Sequence, residues 1–196
     1  MKGIIFNAEM VKAVLEGKKT VTRRPVNDSF AFDEGIGHCH IDGKLSFLVR
    51  NTTSGETKWI IAPYQPGETV YGKETWKPGV CNQTSVYIEY KAGGTEWPHA
   101  PAGMGDKIRH QPPFWRPSIH MPEWASRIKL AITDVRAERL HEITEEEAMS
   151  EGIHNPGDPD FDYIGEFSRL WDSIYRDKCP WDSNPWILRI EFKVSS

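Results

Sequence analysis

Short alternating segments, separated by turns rich in glycine and proline, dominate this sequence and restrict the folds it can adopt. The run SRIKLAITDVRAERL at 126–140 alternates apolar and polar residues over most of its length, and PWILRIEFKV at 185–194 does the same. Such alternation is typical of a strand with one buried face. Predicted strands outnumber helices, and few strand–helix–strand units occur. We therefore predict an α+β fold: a small, mostly antiparallel barrel with helices packed at its ends.

Capping residues and periodic apolar positions predict the helices. Asn7 can cap a helix from Ala8 to Glu16, and Gly17 supplies the left-handed residue that ends it. Another helix is predicted from Tyr163 to Ile174, where Phe, Leu and Trp recur at helical spacing. These helices provide apolar faces that can pack against the sheet.

The length of 196 residues is sufficient for one domain with a substantial core. We predict a single domain at 1–196 with insertions at about 27–63 and 91–118. The first insertion contains KLSFLV and KWIIA, which look like a hairpin. The second is rich in glycine and proline and is predicted to be a long loop, a feature that is more often functional or mobile than inert.

Composition excludes some functional classes. The net charge of −4 argues against a protein that coats DNA nonspecifically, because such domains are usually basic. No apolar run approaches ~18 residues, so no membrane span is expected. The three cysteines, an odd number at wide spacing, fit a reduced compartment. We expect a cytoplasmic protein without a secretory signal.

Metal and cofactor chemistry are not predicted. The tripeptide HCH at 38–40 has the composition of a metal site, but no second Cys/His pair has suitable spacing. The segments KAGGTEW and PAGMGDK contain glycines without matching a phosphate-loop pattern. We therefore expect neither a metal nor another cofactor.

One segment concentrates positive charge. From Lys18 to Arg24, the sequence KKTVTRR places four cations within seven residues, which indicates a site for an anionic group. Neighbouring positive charge lowers the pKa of a lysine such as Lys19 and favours its neutral form. Neutral Lys19 can then accept the hydroxyl proton of Thr22 and activate it as a nucleophile. The alternative is a solvated edge strand whose charges prevent aggregation.

Strand geometry limits this catalytic interpretation. Side chains three residues apart in a regular strand point to opposite faces, which separates Lys19 from Thr22. The two side chains can meet only if Lys19 still lies in the turn after Gly17, or if a bulge interrupts the strand.

A carboxylate at a helix end supplies a further candidate. In ITEEEAMSEG, Thr144 and Glu147 have the spacing of a capping box, and Gly152 ends the predicted helix. Glu151 then lies in the last turn, facing the negative end of the helix dipole at a cost of roughly 0.3–1 kcal/mol. That position favours a role in proton transfer. The alternative is a surface glutamate in an acidic helix.

Eight tryptophans are present, many beside proline or glycine. Tryptophans in loops can stack on a nucleobase, whereas large rings also seal small barrels. We predict that most of them pack in the core and that Trp76 and Trp115 line a cleft. His120, between prolines in PSIHMP, is either a polar group of the site or a turn residue.

The segment GKKTVTRR also carries a family resemblance. Gly17, Lys19 and Arg24 match the Gly-x-Lys-x-x-x-x-Arg signature of the ASCH domain family. The segments GETVYGKETW, WRPSIHMPEWASRIKLAITDVRAERL and NPWILRIEFK resemble its phage- and prophage-associated branch, so the similarity extends over nearly the whole chain. The resemblance implies a PUA-like β-barrel with a cleft that binds RNA or a nucleoside.

Within this family, the N4-acetylcytidine amidohydrolases are similar at the residues already considered. Their segment Lys-Thr-x-Thr-x-Arg corresponds to KTVTRR here. The resemblance assigns Lys19 and Thr22 to a catalytic triad, and its glutamate aligns with Glu151. Those enzymes are roughly half as long, and the excess length here falls in the two insertions.

Two main hypotheses result. The first is a metal-independent amidohydrolase acting on an acylated nucleoside, in which Lys19 activates Thr22, Glu151 positions Lys19, and Arg24 stabilises the oxyanion. The second is a non-catalytic module that binds modified or single-stranded RNA and regulates phage or host RNA. In both, the predicted ligand-binding residues are Arg23, Arg24, Trp76, Trp115 and His120. A third hypothesis is an accessory protein that binds another protein through the inserted hairpin.

Overall fold

The computed structural model of the chain describes residues 1–26, 30–32, 38–51, 53–80, 85–110 and 113–195. Its strands are β1 (Gly3–Ile5), β2 (Val21–Pro25), β3 (Phe30–Phe32), β4 (His38–Ile41), β5 (Lys44–Asn51), β6 (Thr57–Ile61), β7 (Thr69–Lys73), β8 (Trp76–Val80), β9 (Val86–Tyr90), β10 (Thr95–Glu96), β11 (Lys129–Arg139) and β12 (Trp186–Val194). Its α-helices are α1 (Ala8–Leu15), α2 (Met104–Arg109), α3 (Glu145–Ser150) and α4 (Tyr163–Tyr175).

Side-chain caps begin the helices as the sequence predicts. The Asn7 carboxamide oxygen accepts from the Met10 N–H at 2.8 Å. In α3, Thr144 Oγ1 accepts from the Glu147 N–H at 3.3 Å, while the Glu147 carboxylate accepts from the Thr144 N–H at 3.4 Å. Gly17 follows α1 with φ of 71°, a conformation that favours glycine. The three predicted helices are thus confirmed, with ends within a residue or two of expectation.

The chain forms two compact units, each assembled from separated stretches. The first unit comprises Met1–Gly17, Thr69–Ala131 and Val194–Ser196, and the second comprises Lys18–Glu68 and Ile132–Lys193. The described part of the predicted insertion at 27–63 belongs to the second unit, and that of 91–118 belongs to the first. The single-domain organisation stays a prediction.

In the first unit, β1 runs parallel to β7, and β7 pairs antiparallel with the start of β11. Strands β8, β9 and β10 form an antiparallel sheet. One apolar core cluster of this unit consists of Trp76, Val86, Ile88, Tyr90, Ile108, Met121 and Ala125. The prediction of one long loop at 91–118 is wrong in part, since β10 and α2 lie within it. Helix α2 forms there because Ile108 is buried in this core.

In the second unit, β12 lies between β2 and the part of β11 that belongs to this unit. Strand β12 pairs antiparallel with β2, and Arg189 lies opposite Arg23. Strand β5 pairs antiparallel with β6, which confirms the predicted hairpin, and also with β3 and β4. Helices α3 and α4 contribute to a core that consists of Leu140, Ile143, Ala148, Phe167, Trp171, Cys179 and Ile187. This core supports the strand and helix ends that carry the site.

The α+β class and the mostly antiparallel pairing are confirmed. Within the described ranges, none of these sheets closes into a barrel, so the PUA-like barrel stays a prediction. No helix in the described part of the chain combines the length and apolarity that crossing a membrane requires.

Candidate active site

Backbone contacts fix the position of Lys19 between α3 and β12. The Thr20 N–H donates to the Ser150 carbonyl, and the Phe192 N–H donates to the Thr20 carbonyl, both at 2.9 Å. Lys19 forms an isolated antiparallel bridge with Glu151, the residue that caps α3. The fold thereby joins two residues that are 132 positions apart in sequence.

Lys19 and Glu151 form a buried ion pair. Lys19 Nζ donates to Glu151 Oε2 at 2.5 Å and to the Glu151 carbonyl oxygen at 2.8 Å. The two side chains are 0% and 3% exposed. The ammonium also lies at the carboxyl end of α3, where positive charge is favourable to the helix dipole. Charge-assisted hydrogen bonds in such an environment are strong. Loss of one partner leaves an unpaired buried charge, which strongly destabilises the folded state.

Burial is the main cause of the lowered pKa of Lys19, because desolvation disfavours the ammonium form. The Glu151 carboxylate opposes this effect through its charge and hydrogen bond. Positive charge on Arg24 and Arg23 lowers the Lys19 pKa further, as the sequence predicts, but it contributes less than burial does. The Lys19 pKa is therefore lowered as predicted, but mainly by burial and not by the neighbouring positive charges. An amine of this kind gives up its proton more readily than an exposed lysine.

Arg23 is the second cationic partner of Glu151. Its Nη1 lies 3.3 Å from Glu151 Oε1, and its Nη2 lies 2.6 Å from Glu147 Oε2 and 2.9 Å from Glu138 Oε1. The Arg23 side chain is 0% exposed. A guanidinium enclosed by three carboxylates has no surface left for a phosphate or a ligand. Arg23 therefore holds the Glu151 carboxylate. The sequence had instead predicted that Arg23 contacts a ligand.

Arg189 of β12 joins the charged cluster, which is defined here as Lys19, Arg23, Glu138, Glu147, Glu151 and Arg189. Its Nε lies 3.0 Å from Glu147 Oε1, without the alignment of a hydrogen bond, and its Nη1 lies 3.2 Å from Glu191 Oε2. Burial raises the pKa of the Glu138 carboxyl, and the charge of Arg23 opposes that shift. Arg23 and Arg189 each lie beside more than one carboxylate.

Sequence reasoning missed Glu138, Glu147 and Arg189 as members of this cluster. One signal was available for Glu147, which precedes Glu151 by four residues and so shares its helix face. Arg189 and Glu138 lie on β12 and β11, and their contact with α3 depends on strand register, which no local pattern displays.

Thr22 lies within β2 and is 2% exposed. It pairs with Ile190 of β12, and strand alternation turns its side chain away from the face that carries Arg23. Lys19 precedes β2 and lies in the separate bridge with Glu151. The regular alternation of β2 therefore does not extend to Lys19, but the Lys19 amine bonds to Glu151, which Arg23 also contacts from the face that Thr22 turns away from. The geometric objection raised by the sequence therefore stands.

Arg24 reaches α4. Its Nη1 donates to the Tyr175 hydroxyl at 2.9 Å, and its charge opposes the burial that raises the pKa of Tyr64. Arg24 is only partly buried, unlike Arg23. Of the two predicted arginines, Arg24 is therefore the one with a surface that a ligand can reach.

A cavity of about 320 Å³ opens beside the residues that flank the ion pair. Such a volume falls in the range of small-molecule sites. Its lining consists of Lys18, Met149, Gly152, Ile153, His154, Asn155 and Tyr163. Lys18 precedes Lys19 and Gly152 follows Glu151, so the cavity is lined by the sequence neighbours of the pair.

The remaining predicted ligand residues belong to the first unit. Trp76 is 2% exposed within the core of that unit, which is the packing role that the sequence also allowed. Trp115 is 40% exposed. His120 is exposed at the end of the short 3₁₀ turn Ser118–His120.

The described residues contain no group of three or more His, Cys, Asp and Glu side chains arranged to hold a metal. His38 and His40 lie two apart in β4, so Cys39 between them points to the other face of the strand. The tripeptide therefore does not converge on one point.

Comparisons with protein-family models, with curated proteins and with solved structures found no match to this chain.

Proposed function

We propose that this protein is an ASCH-type amidohydrolase with a PUA-like fold that removes an acyl group from a modified nucleoside such as N4-acetylcytidine. One observation carries the proposal, namely the buried contact between Lys19 Nζ and the Glu151 carboxylate. A lysine with a lowered pKa, held by a carboxylate, is the kind of base that activates a hydroxyl nucleophile.

The proposed reaction proceeds through an acyl-enzyme. Thr22 Oγ1 attacks the acyl carbon while its proton passes to neutral Lys19, and Arg24 stabilises the oxyanion. The intermediate collapses, the C–N bond breaks, and the leaving amine of cytidine takes the proton from Lys19. Water then attacks the ester, again with Lys19 as the base, and acetate and Thr22 are released.

Glu151 and Arg23 position the base in this scheme. Glu151 holds the Lys19 amine through two hydrogen bonds, and Arg23 holds the other carboxylate oxygen. Because Lys19, Thr22 and Glu151 are all buried, substrate must enter through an opening movement of the surrounding residues. The cavity beside Lys18 and Gly152 is the entrance that we propose.

Acetate release from N4-acetylcytidine tests this function, with matched variants in the same segment. Thr22→Ala should lower kcat/KM by roughly 10³-fold or more, because it removes the nucleophile. Thr20→Ala, which removes an exposed threonine two residues away, should retain activity. Circular dichroism of both variants checks that they fold. Equal activity of Thr22→Ala and wild type would rule out Thr22 as the nucleophile.

A non-catalytic nucleic-acid-binding module is the second candidate. The observation that favours it is the complete burial of Lys19, which suits a structural ion pair as well as a base. In that case the wild-type protein releases no acetate from any N4-acylated cytidine, while it still binds an oligonucleotide.

A further inference from the structure

The first unit carries two exposed aromatic side chains that are neighbours in sequence. Phe114 is 53% exposed and Trp115 is 40% exposed. Single exposed apolar residues are ordinary, but neighbouring rings flanked by cations indicate a binding surface. Three basic residues adjoin them, and the Trp115 patch is defined here as Lys77, Lys91, Phe114, Trp115 and Arg116.

Each cation of the patch lies against a ring. Lys77 Nζ and Lys91 Nζ lie 5.3 and 5.4 Å from the centre of the Trp115 ring. The Arg116 guanidinium carbon lies 5.8 Å from the centre of Phe114. Glu89 pairs with Lys77 at 2.6 Å, whereas Lys91 is exposed beside the Trp115 ring. The patch thus combines π faces with cations in one place.

The core of the first unit holds this patch in position. Backbone hydrogen bonds join Arg116 to Trp76 in both directions, at 2.7 and 3.2 Å, and the Arg116 guanidinium also lies over the buried Trp76 ring. Lys77 follows Trp76 in β8, and the Lys91 N–H donates to the Thr75 carbonyl at 2.9 Å. A surface anchored in this way loses little freedom when a ligand binds.

We propose that the Trp115 patch binds single-stranded nucleic acid. Unpaired bases offer π faces that stack on exposed rings, and their phosphates pair with lysine and arginine. A duplex conceals its bases within the stack, so it cannot use Phe114 and Trp115 in this way. The inference goes beyond the proposed amidohydrolase activity and does not require it, since every residue of the patch lies in the first unit.

Fluorescence anisotropy of a labelled oligouridine of about 15 nucleotides tests the patch on the full-length chain. Trp115→Ala should weaken binding roughly 5- to 100-fold, because it removes stacking on one base. The matched control is Trp97→Ala. Trp97 is 58% exposed in the same unit, but its ring contacts Tyr87, and its loss should change affinity less than about twofold.

A second variant keeps the rings intact. Lys91→Gln should reduce the slope of log affinity against log salt by about 0.7, as expected for one lost phosphate contact. This variant keeps the proposal testable if Trp115→Ala fails to fold. A duplex of equal length should bind more weakly than the single strand at every salt concentration.

Three results would each overturn the proposal: no oligouridine binding at about 50 mM salt, equal effects of Trp115→Ala and Trp97→Ala, or tighter binding of the duplex. The oligouridine carries no acyl group, so its binding is independent of turnover. Loss of this binding leaves the acetate-release assay as an independent test of the proposed function. Conversely, absence of acetate release does not bear on the patch.

Discussion

The charged cluster of the second unit and the Trp115 patch of the first contain the same cationic residue types in opposite environments. Lys19 and Arg23 have fully buried side chains that bind carboxylates, whereas Lys91 is exposed and lies against the Trp115 ring. Burial converts a lysine into a tightly held, more readily deprotonated group, while exposure leaves it available for phosphates. Positive charge in a sequence therefore does not by itself identify a protein surface that binds nucleic acid.

The largest expected effect is on the stability of the buried pair. Lys19→Met removes one partner of a buried ion pair and should reduce the free energy of unfolding by about 3–5 kcal/mol, measured by urea denaturation. Lys18→Met, in the neighbouring exposed position, should change it by less than about 0.5 kcal/mol. Equal effects of the two substitutions would show that burial does not distinguish these lysines.

An intermediate effect concerns pH. The pKa of Lys19 is lowered in the folded protein from its ordinary value of 10.5. Between the folded pKa and 10.5, the unfolded chain binds more protons, so stability rises with pH. The stability of wild type relative to Lys19→Met should therefore increase in that window, with a slope of up to about 1.4 kcal/mol per pH unit. Denaturation of both proteins across the alkaline range measures it, and a constant difference would contradict the lowered pKa.

The smallest effect comes from the helix caps of the two units. Thr144→Ala and Asn7→Ala each remove a side-chain cap and should each cost about 1 kcal/mol in thermal or urea denaturation. Only Thr144→Ala should also lower acetate release, because α3 carries Glu147 and Glu151. If Asn7→Ala lowers turnover equally, the loss reflects stability rather than the position of α3.

Local signals predicted much of the fold. The caps at Asn7 and Thr144 and the alternation of β11 and β12 depend on neighbouring residues, and the structure contains all of them. The helix α2 was missed because its formation depends on burial of Ile108 in a core assembled from distant segments. The barrel closure and the single domain stay predictions.

The sequence predicted members of the candidate site only where local charge, helix position or family resemblance pointed to one particular residue. Lys19 and Glu151 were proposed from charge, helix position and family resemblance, and their contact is present. Arg23 and Arg24 could not be distinguished, since strand register alone directs one to carboxylates and the other to Tyr175. Trp76 and Trp115 both neighbour polar or proline-rich turns, and only long-range packing buries the first and exposes the second.

We propose that the buried Lys19–Glu151 pair activates Thr22 as the nucleophile. Mass spectrometry of the intact protein, after reaction with N4-acetylcytidine and rapid acid quenching, tests this most directly. We expect wild-type protein to gain the mass of one acetyl group, located by fragmentation on Thr22, and Thr22→Ala to gain none. Turnover without an acetyl adduct, or an adduct on another residue with Thr22→Ala still active, would contradict it.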